Sequence, residues 1–203
     1  MESWKRIDKK DLEPIINAIN KEEGFDLYSL ETSSAKQAAM PFYKTLSMLE
    51  ITDFASIPPL TMRFFINNSN AASSILKLDG SKEALLEINK VERPTLDESN
   101  IVAYAKFALG TVMGEEGTFR LVENMGDIEY SRDPSEKEQK MLLAVIKPAR
   151  IAKVDDGYSL DANVLYSDCV YRAIISVTSD GTVDIQEEKT MLNDMPTRQI
   201  MLL

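Results

Sequence analysis

The C-terminal part of the chain carries the pattern that most constrains the fold, an alternation of apolar and polar residues. It runs through residues 158–166 and again through 169–177, and Val183 and Ile185 continue it. A period of two is typical of half-buried β-strands. Residues 155–157 and 179–181 contain the Asp and Gly that hairpin turns favour. The last sixty residues, with 145–154 as a first strand, are therefore predicted to form an antiparallel meander of about four or more strands with one face open to solvent.

A long central helix is predicted over residues 97–113. Its apolar residues recur at helical spacing: Ile101, Tyr104, Ala105, Ala108, Leu109 and Val112. Thr95 and Glu98 have the spacing of a capping box, and Gly114 is a suitable stop. We expect this helix to pack on the apolar face of the meander. Residues 118–123 are predicted to form a strand, and 125–140 a polar surface excursion or short helix.

The first fifty residues are predicted to form helices. A first helix follows from an apolar stripe, with Asp11 as its cap: Leu12, Ile15, Ile16 and Ile19. A second, running to about residue 50, follows from Phe42, Tyr43, Leu46 and Leu49. A strand is predicted over residues 60–66. Residues 71–90 fit either a hairpin at Asp79-Gly80 or a helix that opens after Ser81.

Together these elements predict an α+β fold with N-terminal helices. The chain of 203 residues is long enough for one large domain. We expect a single domain over residues 1–203, with the alternative of a helical subdomain over 1–57 and a sheet-forming core over 60–203. The order of a helix and a meander is shared by cystatin-like and NTF2-like cones, which is an analogy of element order alone and does not fix a function.

Composition restricts the chemistry. The chain has no histidine, which removes the commonest general base and metal ligand. It has no phosphate-binding loop and no EF-hand pattern, so no cofactor and no metal are expected. The single Cys169 fits a reducing compartment and, without an activating base, is expected to be inert. We therefore expect a soluble, cytoplasmic protein and favour a non-enzymatic one over an enzyme.

Charge restricts the partners. The formal net charge is −10, and carboxylates are concentrated in residues 111–140 and 178–195. A negative field repels nucleic-acid phosphates and anionic lipids, so neither direct nucleic-acid binding nor membrane binding is expected. Asp168 and Arg172, on the outward parity of their strand, are expected to pair on the surface.

Three groups of residues are candidate sites. Tyrosines on the inward face of the meander, with one on the central helix, are candidates for a small-molecule pocket: Tyr104, Tyr158, Tyr166 and Tyr171. Glutamates near Gly114 and Gly117 are candidates for a cation site or recognition loop: Glu115, Glu116 and Glu123. The apolar C-terminus is a candidate interface: Met195, Ile200, Met201, Leu202 and Leu203.

The leading functional hypothesis is a non-enzymatic protein-binding or adaptor protein, engaging a protein partner or a second copy in a homodimer. One alternative is a small-molecule-binding or enzymatic cone with a pocket of tyrosines and a carboxylate. A further alternative is an acidic mimic of nucleic acid, which requires carboxylates along one continuous face.

Overall fold

A computed structural model describes residues 4–72 and 74–198 of the chain. The fold is mixed α/β, with helices and antiparallel meanders. The described α-helices are α1 (Lys9–Glu23), α2 (Lys82–Val91), α3 (Ile101–Thr111) and α4 (Glu136–Val145), and a short 3-10 helix spans Met125–Asp127. Of the helices in these residues, none has the length and apolar character needed to cross a membrane.

The chain divides into two compact units. The N-terminal unit contains residues 4–79 and Glu83–Arg93, and the C-terminal unit contains Gly80–Lys82 and the described residues from Pro94 onwards. The division therefore falls between residues 79 and 94. The single domain over residues 1–203, and the alternative of a subdomain over 1–57 with a core over 60–203, stay predictions.

The N-terminal unit is built on a five-stranded antiparallel sheet in the order β1-β2-β3-β4-β5. Its strands are β1 (Lys5–Arg6), β2 (Ser33–Ala39), β3 (Leu46–Asp53), β4 (Leu60–Asn67) and β5 (Ile75–Leu78). The predicted strand over 60–66 is confirmed as β4. In residues 71–90 the chain forms both a strand and a helix, β5 and then α2.

Helix α1 covers one face of this sheet. Its predicted apolar stripe is buried against residues of three strands, among them Leu49, Ile51 and Phe64. The cap differs from the prediction, because the helix begins two residues before Asp11 and Asp8 stands at the N-cap without a side-chain hydrogen bond. Gly24, with φ of 79°, ends the helix in the left-handed conformation that glycine favours.

The predicted second helix is wrong, because residues 33–39 and 46–53 are strands β2 and β3. Leu46, Met48, Leu49 and Ile51 are all buried, so β3 contributes to the core from both faces. A strand buried on both faces loses the alternation of period two, and a short apolar run cannot then be distinguished from a helix by spacing.

The turn between β2 and β3 is fixed by a carboxylate from the segment after α2. Glu92 accepts hydrogen bonds from the backbone N–H groups of Lys44, Thr45 and Leu46 and from the Thr45 hydroxyl, at 2.5–3.2 Å. Burial raises the pKa of Glu92, but these hydrogen bonds outweigh it and hold the pKa below its usual value. The charged carboxylate therefore closes this turn.

The C-terminal unit is built on a second antiparallel sheet, in the order β12-β11-β10-β8, with β9 also pairing β10. Its strands are β8 (Arg120–Val122), β9 (Arg150–Val154), β10 (Gly157–Tyr166), β11 (Cys169–Thr178) and β12 (Val183–Leu192). A small hairpin of β6 (Met113–Gly114) and β7 (Gly117–Thr118) precedes them. The predicted meander is confirmed, and Gly157 and Gly181 have positive φ in its turns.

Helix α3 is shorter than predicted and is capped differently. It begins at Ile101, and its N-terminus is organised by Asp97, which accepts from the backbone of Ser99 and Asn100, rather than by Thr95 and Glu98. Its residues Ile101, Tyr104, Ala105 and Ala108 are buried. The helix ends at Thr111, before the predicted stop at Gly114, because β6 begins at Met113.

The second face of the C-terminal sheet is not fully open, contrary to the prediction. Leu165 and Val170 point to that face and are buried in a cluster with Leu142 and Ile146 from α4 and its C-cap. The prediction missed this cover because α4 has one fully buried residue and reads as a polar segment. Arg172, on the same face, pairs with Asp161 at 2.5 Å rather than with Asp168.

Candidate functional site

A pocket of the C-terminal unit lies on the sheet face that carries the predicted tyrosines. It has a volume of about 290 Å³ and is lined by residues of β10, β11, β12 and the segment before β8: Phe119, Val164, Tyr166, Tyr171, Ala173, Ile185 and Glu188. Three of these elements meet because β10, β11 and β12 are consecutive antiparallel neighbours, and Phe119 adjoins them because β8, which follows it, also pairs with β10.

Small side chains create the depression. Val164 lies directly opposite Tyr171 in the β10–β11 register, and Ala173 lies two residues further along β11 on the same face. Both Val164 and Ala173 are buried, and they form an apolar floor beside the larger Tyr171. Ile185 extends the apolar surface onto β12.

One wall of the pocket is a pair of stacked aromatic rings. Phe119 and Tyr166 have centroids 4.3 Å apart and an interplanar angle of 10°. The Tyr166 hydroxyl accepts a hydrogen bond of 2.9 Å from the backbone N–H of Glu116, at the tip of the β6–β7 hairpin. Gly114 makes this contact possible, because a Cβ at that position would lie 2.6 Å from the Tyr166 hydroxyl oxygen. The Tyr166 ring is therefore fixed both by its stacking on Phe119 and by the hydrogen bond to its hydroxyl.

The opposite side of the pocket carries a carboxylate. Glu188 is exposed and makes no hydrogen bond or ion pair with any described residue. It lies opposite Ala173 across β11 and β12. Its position depends on a β-bulge, since Ile175 pairs with Ile185 but Ile174 pairs with Glu187. The extra residue reverses the alternation, so Glu188 rather than Glu187 shares the pocket face with Ile185.

The electrostatic environment of the pocket is negative. Burial raises the pKa of the Tyr171 hydroxyl, and Cys169 and the charges of Glu188 and Asp168 raise it further. Burial also raises the pKa of the neighbouring Cys169 thiol, which donates to Asp168 at 3.2 Å. No cation lines the pocket. These groups favour a positively charged ligand over an anion.

The four predicted pocket tyrosines fall into two pairs. Tyr166 and Tyr171 line the pocket, but Tyr104 is fully buried and its hydroxyl donates to the Gly181 carbonyl at 2.6 Å. Tyr158 is buried near the far end of β10 and does not line this pocket. Tyr104 and Tyr158 do not line this pocket, and their assignment to a ligand site stays a prediction.

The three glutamates of the predicted cation site or recognition loop lie on two separate segments of the chain. Glu115 and Glu116 are exposed at the tip of the β6–β7 hairpin. Glu123 instead pairs with Lys106 at 3.1 Å and accepts from the backbone N–H of Ala149. In residues 4–72 and 74–198 no group of three or more acidic or cysteine side chains is placed to hold a metal ion.

The predicted C-terminal interface is only partly described. Ile200, Met201, Leu202 and Leu203 lie outside the described residues. Met195 is buried among residues of its own unit, in the cluster that contains Leu165 and Val170. Its assignment to an interface stays a prediction. The backbone N–H of Met195 donates to the carbonyl of Asp168, which fixes this segment on the turn between β10 and β11.

Sequence reasoning missed Phe119, Ala173 and Glu188. Phe119 and Ala173 could have been found, because Ala173 has the inward parity of β11 and Phe119 lies in the predicted strand over 118–123. Glu188 could not, since the bulge that sets its side is invisible in the alternation of residues 183–192.

The described residues form a mixed α/β fold with two five-stranded antiparallel sheets, one of which carries an aromatic and acidic pocket. No known protein family, no curated protein and no solved structure matches the chain.

Proposed function

We propose that this chain is a non-enzymatic protein-binding protein and that its C-terminal pocket takes the side chain of a lysine from a protein partner. The observation that carries the proposal is the combination of an apolar floor, a stacked aromatic wall and an unpaired carboxylate, Glu188, in one pocket. Aromatic faces and a carboxylate together attract an ammonium group. Val164, Ala173 and Ile185 are suited to the methylenes of the lysine stem.

The size of the pocket favours a side chain over a free metabolite. Its volume of about 290 Å³ is at the lower limit of the roughly 300–1,000 Å³ of small-molecule sites. Glu188 is exposed at its margin, so a ligand that pairs with it remains partly in solvent. A lysine side chain enters such a site while its backbone stays outside.

The protonation states favour binding over catalysis. The pocket side chains that can exchange protons are Tyr166, Tyr171 and Glu188. A general base or nucleophile requires a pKa near the working pH. The pKa of Tyr171 is displaced upward, away from neutrality, mainly by burial. This direction suits a tyrosine that remains protonated and serves as part of the wall.

The test is a titration followed by ¹H–¹⁵N NMR. Nα-acetyl-lysine methylamide should shift the signals of β10, β11 and β12 around the pocket, and its Nε-acetylated form, which lacks the charge, should not. A lysine-containing peptide should bind more tightly than n-butylammonium. Equal binding of the two would indicate a free amine as the ligand and contradict the protein partner.

Two glutamates supply a matched pair of variants. Glu188→Gln should weaken binding of the lysine probe about tenfold, the loss of one charge-assisted contact. Glu187→Gln removes the same charge from the adjacent residue on the other face and should leave binding unchanged. Equal effects of the two substitutions, or no binding by the unaltered protein, would refute the proposed site.

A further inference from the structure

The N-terminal unit carries a second pocket, of opposite charge, on the sheet face that α1 does not cover. It has a volume of about 370 Å³ and is lined by residues of β1, β2 and β3 and by the residue before them: Trp4, Arg6, Ser34, Ala35, Lys36, Glu50 and Thr52. The β1–β2 register places Arg6 directly opposite Lys36, and the β2–β3 register places Lys36 opposite Glu50. These three side chains therefore form one row on the same face.

The row has an excess of positive charge. Glu50 forms ion pairs with Lys36 at 2.7 Å and with Arg63 of β4 at 3.0 Å, and only 11% of its side chain is exposed. Burial raises the pKa of Glu50, but its bonds with Lys36 and Arg63 outweigh it, so the pKa is lowered and the group stays ionised. Glu50 is thus paired with two cations, and Arg6 adds a further positive charge to the row. In a chain of net charge −10 this local balance is unusual.

Arg6 is the cation in this pocket whose side chain has no partner among the described residues. Its guanidinium makes no hydrogen bond or ion pair with any described residue. The Ser34 hydroxyl, which also lines the pocket, makes none either, whereas the Thr52 hydroxyl is paired with that of Thr61 at 2.8 Å. A guanidinium fork beside a free hydroxyl offers several donors to a carboxylate or phosphate group.

Trp4 supplies an apolar wall for the same pocket. The ammonium of Lys36 lies 4.7 Å from the centroid of its ring, which holds the indole beside the charged row. Because Lys36 is bound both to Glu50 and to this ring, it is less available than Arg6 to a ligand. The pocket volume lies within the range of about 300–1,000 Å³ of small-molecule sites.

We propose that this pocket binds a small organic anion, with its carboxylate or phosphate group at Arg6 and Ser34 and its apolar part against Trp4. The site is independent of the proposed lysine pocket and is formed entirely by residues of the N-terminal unit. The excess of cations in the row selects for the charge of the ligand, and the indole selects for an apolar body next to it.

The experiment uses Trp4 itself as the reporter. It is the single tryptophan of the chain, so its indole N–H gives one signal in a ¹H–¹⁵N spectrum. Butyrate, n-butyl phosphate, inorganic phosphate and n-butylammonium are titrated into the full chain. Butyrate or n-butyl phosphate should shift the Trp4 signal in a saturable way, and whichever binds more tightly identifies the oxyanion. Inorganic phosphate should bind more weakly, and n-butylammonium should not shift this signal.

The variants separate a specific site from general attraction. Arg6→Gln should weaken binding of the better anion about tenfold or more. Lys5→Gln removes one positive charge from the same strand, but Lys5 pairs with Gln37 and lies on the other face, so its effect should be less than about twofold. Equal effects of the two substitutions would overturn the proposal, and so would the absence of a saturable shift with either organic anion.

Discussion

The two units share a construction and differ in the rows of side chains that cross their sheets. Each has an antiparallel sheet with an apolar helical cluster against one face, formed by α1 in one unit and by α4 with its C-cap in the other. In the N-terminal sheet, charged and hydroxyl residues stand opposite one another, as in the row of Arg6, Lys36 and Glu50. In the C-terminal sheet the side chains that line the pocket are aromatic or apolar, apart from the carboxylate of Glu188 on β12.

Register, rather than overall charge, decides which charged side chains a sheet face presents. The chain is strongly acidic. Cations are nevertheless concentrated in the pocket of its N-terminal unit, because the register of β1, β2 and β3 places Arg6 and Lys36 side by side. The pocket in its C-terminal unit is negative because a bulge in β12 moves one glutamate to the inner face. Similar sheets therefore present pockets of opposite charge.

The largest expected effect concerns the two cores. Leu49 and Leu165 are both fully buried, one under α1 and the other in the α4 cluster. Replacing either by Ala should lower the free energy of unfolding by about 2–5 kcal/mol, because methylene burial is lost and a cavity remains. Hydrogen exchange should show the greater loss of protection in the sheet that carries the substitution. An equal loss of protection from hydrogen exchange in both sheets would contradict the division of the chain into two units.

A second prediction concerns the wall of the C-terminal pocket. Gly114→Ala should force the Tyr166 ring away from its place, since the new Cβ would lie 2.6 Å from the hydroxyl oxygen. We expect a loss of about 1–3 kcal/mol in the free energy of unfolding, with weaker lysine binding. Gly110→Ala is the control, because it has open space around its Cβ and lies in α3, where Ala is favoured. Equal free energies of unfolding for the two variants in urea denaturation would contradict the clash between residue 114 and the Tyr166 ring.

A third prediction concerns a charge that stabilises only the N-terminal unit. Glu92→Gln should lower the free energy of unfolding by about 1–2 kcal/mol at neutral pH, because the turn loses a charged acceptor at a partly exposed site. The folded pKa of Glu92 is lowered. Its stabilisation is therefore present above the unfolded pKa of about 4.3 and is lost as pH falls through the folded value. Urea denaturation of both proteins should show a difference that shrinks in acid; a constant difference would exclude the charge as the cause.

The smallest expected effect is that of salt on the two pockets. Both proposed ligands bind partly through charge at exposed groups, Arg6 in one unit and Glu188 in the other. Raising the ionic strength from about 0.01 M to about 0.15 M should lower the affinity of each pocket for its proposed ligand by about threefold. NMR titrations with butyrate and with the lysine probe measure this. Binding that is insensitive to salt in one pocket would mean that its apolar wall, and not its charge, selects the ligand.

Sequence patterns were sufficient where one physical requirement dominated. The alternation in residues 158–177 requires a strand with one buried face, and the glycines at 157 and 181 permit the turns, so β10 and β11 follow directly. The stripe of α1 is equally clear, because its four apolar residues fit one face of a helix and no face of a strand.

Patterns failed where burial depended on a distant segment. Strand β3 is buried on both faces, which removes the alternation that would have identified it. Met195 has no local pattern, and its burial depends on Val122, Leu142 and other residues far away in the chain. In the same way, the inward glutamate of β12 depends on a mismatch with β11 and not on its own neighbours.

The sequence by itself therefore determined the C-terminal meander and the first helix. It also showed that no histidine is present to act as a base or ligand, and it identified Tyr166 and Tyr171 as candidate pocket residues. Only the tertiary structure decided the division into two units, the strand character of residues 33–53 and the placement of Glu188 and Arg6 in pockets. The physical reason is that periodicity encodes how one segment meets solvent, whereas strand register and bulges arise only when two segments pair.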